Sequence, residues 1–151
     1  MNQNIQNNND EGFVKGMLIA AGLGAAGGIV GGVLWFGLSF LGRLAFISGI
    51  IAGLGGGVGA MITGKNGLPI KFIISILLSL GLFGVGVYLG MGVDIYQGLE
   101  GSLPLDTCIR LIPDFFSEKD VASAFMTDAA LGAVSYVIGL ASGIVKFKDL
   151  L

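Results

Sequence analysis

The sequence predicts an all-α, polytopic membrane protein: four transmembrane helices in one domain, with a short amphipathic helix in the third loop. Three observations carry this. Four stretches lack charge for long enough to cross a bilayer. Hydrophobic residues make up 54% of the chain and charged residues only 12%, with a mean hydropathy of +0.88, more apolar surface than a soluble core of this size can hide. Glycine is concentrated, supplying 16 of the 49 residues from Gly16 to Gly64, which suits helices in close contact.

The chain opens on MNQNIQNNNDEGFV, rich in Asn and Gln. It has no basic residue of the kind a secretory signal carries at its start, and too few apolar groups to fold alone. Residues 1–13 therefore read as a disordered cytoplasmic tail, and the first hydrophobic segment as part of the mature protein. Residues 14–151 form the transmembrane domain.

An α-helix needs roughly 20 residues to cross a hydrocarbon core of about 30 Å. Residues 16–42 give 27 without charge, residues 44–64 give 21, residues 72–93 give 22 and residues 129–145 give 17. Val121, Ala122, Ala124, Phe125 and Met126 extend the last segment, and Lys146 can snorkel to the headgroups. The expected spans are about 16–41, 44–64, 71–93 and 121–145. Only Arg43 interrupts the apolar run between the first two, which makes them a tight hairpin, with Trp35, Phe36, Phe40 and Phe46 as an interfacial aromatic belt.

Lysine and arginine set the orientation. With the N-terminus inside, Lys15, Lys65, Lys71, Lys146 and Lys148 share one face, and Arg43, Arg110 and Lys119 the other. Both termini are expected in the cytoplasm.

Glycine recurs with a period. Gly24, Gly28 and Gly32 fall every fourth residue in the first span, and Gly49, Gly53 and Gly57 do so in the second, beside a parallel row of Ser48, Ala52, Gly56, Ala60 and Gly64. Each row lies along one helix face and forms a glycine-zipper pattern. Lipid offers little hydrophobic drive between helices, so small residues associate them by letting backbones approach. Either the rows pack this chain's own bundle, or one stays free for another subunit.

Between the third and fourth spans, GSLPLDTCIRLIP reads as a helix over about 103–112, capped by Ser102, with Pro104 in its first turn and Pro113 ending it. Leu105, Cys108, Ile109 and Ile112 make its apolar stripe. Ser117 and Asp120 resemble a capping box that starts the fourth helix near Glu118.

Two carboxylates sit near the outer boundary. Asp94 follows the third span and reads as a solvated interfacial group. Asp128 is about 27 Å of helix from Lys146, which makes it the charge most deeply placed in the apolar slab and the candidate ion or polar site, with Arg110 or Arg43 as natural partners.

Several functions are disfavoured. The chain has no histidine, which removes a Ser-His dyad and the usual zinc constellations, and its only cysteine, Cys108, excludes an internal disulfide. GMGVD carries one residue more than the GxGD of intramembrane aspartyl proteases, and Thr127 precedes Asp128 where that family has tyrosine. The GLGGGVG run has no following Lys-Ser or Lys-Thr, and no Asp or Glu lies between Gly12 and Val93 to act as the ion carrier of a rotary ring. A net charge of −2 with scattered basic residues offers no nucleic-acid surface. No enzyme activity, catalytic residue, cofactor, metal or small-molecule ligand is expected.

The order of GGVLWFGLSFLG, ISGIIAGLGG, YLGMGVDIY and LDTCIRLIPDFFSEKDVASAF, with an Asn-rich tail and a final small-residue span, resembles a family of small glycine-rich four-helix bacterial integral membrane proteins. The likeness covers most of residues 15–145; the amino-terminal zinc ribbon of some similar proteins is absent here. It implies a four-span bundle in a bacterial inner membrane and brings no activity or functional residues. The function expected is a non-enzymatic scaffold or accessory subunit in the bilayer, self-associating or holding another membrane protein through Gly28, Gly32, Gly53 and Gly57. The alternative is a small oligomeric channel or transporter with Asp128 and the glycine faces lining its path.

Overall fold

The computed structural model describes residues 2–41, 45–62 and 68–147, with backbone alone for residues 2–10, 68 and 147. All the described elements are helices: α1 (Asn2–Ser39), α2 (Phe46–Met61), α3 (Leu68–Gly98), α4 (Leu105–Phe115) and α5 (Lys119–Phe147). Three contain segments long and apolar enough to cross a membrane, Glu11–Ser39, Pro69–Gly98 and Lys119–Lys146; Phe46–Met61 is apolar but shorter.

The backbone of α1 is helical from Asn2. Adding a residue to an existing helix makes one hydrogen bond for each residue fixed, so the apolar helix beyond Glu11 carries the polar start along. Lys65, Lys148, Thr63, Gly64 and Arg43 lie outside the described residues.

The contacts of individual glycines fix the topology. Gly24, Gly28 and Gly32 of α1 face Ser75, Ser79 and Leu82 of α3 in ascending order, so these two helices run parallel. Gly27 meets Gly55 and Gly31 meets Ala52, so α1 and α2 are antiparallel. Gly49, Gly53 and Gly57 of α2 face Ser135, Tyr136 and Leu140 of α5, again in parallel. The up-down-up-down course gathers the start of α1 and the end of α5 at one end of the bundle. Ser39, Phe46, Asp94 and Asp128 gather at the other.

At 16 residues, α2 is about 24 Å long, below the roughly 30 Å of a hydrocarbon core. It packs on α1, α3 and α5, and half of it is buried, including Ser48, Ala52, Gly56 and Ala60. A helix enclosed by protein does not have to match the bilayer. Two hydrogen bonds tie it to α3: Ser75 Oγ donates to the Gly56 carbonyl (2.8 Å) and Ser79 Oγ to the Ala52 carbonyl (2.5 Å). The long helices turn large apolar side chains outward: Leu18, Val33, Leu77, Val134, Val137 and Val145 are each more than half exposed. Such surface suits lipid and would aggregate in water.

The loop helix departs from its expected bounds. Pro104, in extended backbone, occupies the cap position, no side chain caps the helix, and Ser102 instead donates its backbone N–H to Leu99. Pro113 lies inside α4, not at its end. A proline removes one helical bond, but buried Ile112 and partly buried Phe115 pack on the core and hold the final turn. The expected stripe is present: Cys108 and Ile112 are fully buried, and Ile109 lies against Gly92 of α3.

Candidate functional site

The end of the bundle away from the start of α1 and the end of α5 holds a cavity of about 170 Å³, lined by Trp35 and Ser39 of α1, Ala45 and Phe46 at the start of α2, Asp94 of α3, and Asp128 and Leu131 of α5. Every helix except α4 contributes to it. Helix periodicity places Asp94 there: Ser75, Ser79, Phe83, Val87 and Met91 recur every fourth residue on the buried face of α3, and the next turn brings round Asp94 and Ile95.

Asp94 was expected as a solvated interfacial group and is instead partly buried in a cavity shared with Asp128. Its depth along α3 is readable from chain length, but the direction it faces is set by the packing of α1 on α3. Trp35, expected in an interfacial belt, is 5% exposed. Gly132 gives it room: a methyl there would stand 3.0 Å from the indole ring. Phe40 and Phe46 of the same expected belt are exposed.

From Trp35 on the cavity wall, a run of aromatic rings continues into the bundle. Trp35 meets Phe83 edge to face (5.5 Å, 82°), and Phe83 stacks on Tyr136 (6.1 Å, 19°). The Tyr136 hydroxyl reaches the Ile76 carbonyl at 3.4 Å, joining α5 to α3. At the rim, Gln97 Nε2 donates to the Phe40 carbonyl at 3.1 Å and ties α3 to the end of α1.

Around the carboxylates, the Ser39 hydroxyl is already committed as donor to the Trp35 carbonyl (2.9 Å). Ala45 provides no side-chain cap for α2. The positive end of the α2 dipole thus meets two acidic groups, an arrangement worth about 0.3–1 kcal/mol per charge. Arg110, an expected partner of Asp128, is exposed on α4 and does not line the cavity; Arg43, the other, lies outside the described residues. Asp94 also borders a second groove, of about 430 Å³, between α3 and α5, with Asp120, Val121, Ala124 and Phe125 on its far wall. Two carboxylates in such a setting can share a proton or attract a cation. Among the described residues no three His, Cys, Asp or Glu side chains gather to hold a metal ion.

The expected helix-interface glycines all lie against this chain's own helices. A methyl added at Gly28 would stand 2.5 Å from the Ser79 carbonyl, one at Gly32 2.9 Å from the Leu82 carbonyl, and one at Gly57 2.7 Å from the Leu140 carbonyl. At Gly24 and Gly53 it would run into the carbonyls of Ser75 and Tyr136, and at Gly49 into the Ser135 hydroxyl. Gly28, Gly32, Gly53 and Gly57 are therefore not a free stripe. The glycines with open space beside them are others: Gly12, Gly22 and Gly37 on α1, and Gly81, Gly84 and Gly98 on α3. Sequence periodicity marks small faces but not which of them the bundle consumes. No family model, no curated protein and no solved structure matches the chain.

Proposed function

We propose that this chain is a non-enzymatic, four-span integral membrane protein that serves as a scaffold or accessory subunit, with both termini in the cytoplasm of a bacterial cell. The observation that carries the reading is the division of small residues between two surfaces. The inner glycines are spent on the bundle, while Gly22, Gly81 and Gly84 remain open among exposed Leu18, Leu77, Leu80 and Val85. Open small residues on an apolar face permit close approach by a further transmembrane helix, of a second copy or another membrane protein. The uneven distribution of Lys and Arg supports the orientation, and the resemblance to glycine-rich bacterial membrane proteins supports the setting.

The test is gentle extraction of a tagged chain from its own membranes, followed by native mass spectrometry. A defined second protein or a closed homo-oligomer that falls apart in Gly22→Leu or Gly81→Leu supports the reading. A monomer without protein partners contradicts it.

One observation favours a second reading, transport by an oligomer: Asp128 shares its cavity with Asp94. On this reading Asp128→Asn abolishes cation or proton flux in liposomes at unchanged oligomer size. Intact flux removes Asp128 from the path.

A further inference from the structure

The groove of about 430 Å³ between α3 and α5, at the α4 end of the bundle, combines a floor of one character with charges of another. It exists because both helices pack on α2 and touch each other little. Ile95 and Phe125, both buried, and Leu99, Phe115 and Val121, partly buried, make the floor apolar. Gly98 and Ala124, both exposed, line its open side, and a methyl placed on Gly98 would meet nothing within 4 Å. The volume falls in the range of small-molecule sites, roughly 300–1,000 Å³.

Two carboxylates interrupt this lining. Asp94 is partly buried and lies within the apolar segment Pro69–Gly98, where an ionisable group is costly and marks a site by default. Asp120, at the start of α5, is exposed at the rim. Among the described residues neither carboxylate is taken up by an ion pair or a hydrogen bond, and no Lys or Arg lines the groove. Arg110 and Lys119 are exposed and take no part in it.

We propose that this groove binds a lipophilic organic cation, an ammonium or phosphonium centre carried on an apolar body, with its charge at Asp94 and Asp120 and its body against the floor. Each half of such a molecule answers one half of the lining. Carboxylates beside a surface that holds off water attract a cation more strongly than they would in bulk solvent, and the floor gives a hydrocarbon or aromatic body its contacts. Other occupants fit less well. A metal ion finds no three His, Cys, Asp or Glu side chains together among the described residues, and most of the lining offers it no oxygen. An anion is repelled by both acids, and a neutral apolar molecule leaves them without a partner. The site stands apart from the scaffold reading, which rests on Gly22, Gly81 and Gly84 and not on this groove.

The test uses two ions of nearly equal shape and opposite charge, tetraphenylphosphonium and tetraphenylborate, titrated onto the full chain in an uncharged detergent with empty micelles as the blank. The expected result is saturable binding of the phosphonium and none of the borate above that blank. Asp94→Asn and Asp120→Asn each weaken binding about tenfold or more, while Asp106→Asn, at an exposed carboxylate of α4 outside the groove, leaves it unchanged. Ala124→Trp keeps both carboxylates and fills the groove; because Ala124 is exposed, the variant keeps its helical circular dichroism and loses binding. Absence of saturable binding, equal binding of the two ions, or an affinity unchanged in both Asn variants and in Ala124→Trp overturns the proposal. Displacement of the bound cation by added phosphatidylethanolamine assigns the groove to a membrane lipid and overturns it likewise.

Discussion

Glycine acts in this protein through what its missing Cβ allows, and that differs from position to position. At Gly53 a methyl collides with the Tyr136 carbonyl, backbone that a helix cannot withdraw. Gly53→Ala is expected to destabilise the fold by about 1–3 kcal/mol. At Gly22 nothing lies within 4 Å, and Gly22→Ala is expected to stabilise the helix by about 0.5–1 kcal/mol, the usual cost of a mid-helix glycine. Thermal unfolding of both variants in one detergent checks the opposite signs. The reverse case is Glu100, which takes a left-handed conformation (φ 52°) where α3 ends. Its N–H bonds Gln97 and that of Gly101 bonds Tyr96, the paired pattern in which glycine is the usual occupant. Glu100→Gly should therefore raise stability by about 1 kcal/mol, seen as a higher Tm; a lower Tm would show that the Glu100 side chain holds the turn. The glycine rows were legible from spacing alone. The inward turn of Asp94 was not, because a single helix shows how far along its axis a residue lies but not which neighbour will cover that side.

At the scale of elements, the two hydroxyls that join α3 to α2 and the stripe that seats α4 each have a definite energetic role. Ser79→Ala removes an interhelical bond to the Ala52 carbonyl and is expected to cost about 0.6 kcal/mol, and at most about 1.7, typical of such bonds in membrane bundles. A denaturant titration that shows no loss would mean the carbonyl is satisfied without it. Ile112 is wholly buried under α4, and Ile112→Ala should cost about 2–5 kcal/mol and speed amide exchange across Leu105–Phe115 ahead of the long helices. Unchanged exchange there would contradict the seating of α4 through this residue. The stripe of α4 was readable from its period, whereas its last turn was not: Pro113 signals an end by local rules, and only the packing of Ile112 and Phe115 overrides it. The helix in the Asn-rich start has the same origin, since propensity in isolation says nothing of the helix it extends.

For the whole molecule, the helix order follows from apolar run lengths, but the place of α2 does not. By sequence it is one span among four; in the fold it is the shortest of the apolar helices and lies against the other three, its glycines divided among α1, α3 and α5. The central claim is that this short, enclosed helix still crosses the bilayer with its neighbours. Topology reporters inserted singly at residue 43, at residue 66, after Gly101 and at the C-terminus test it most directly. The account predicts that residue 66 and the C-terminus report the cytoplasm, while residue 43 and Gly101 report the outside. Residues 43 and 66 on the same side of the membrane would contradict it, because α2 would then not be a span.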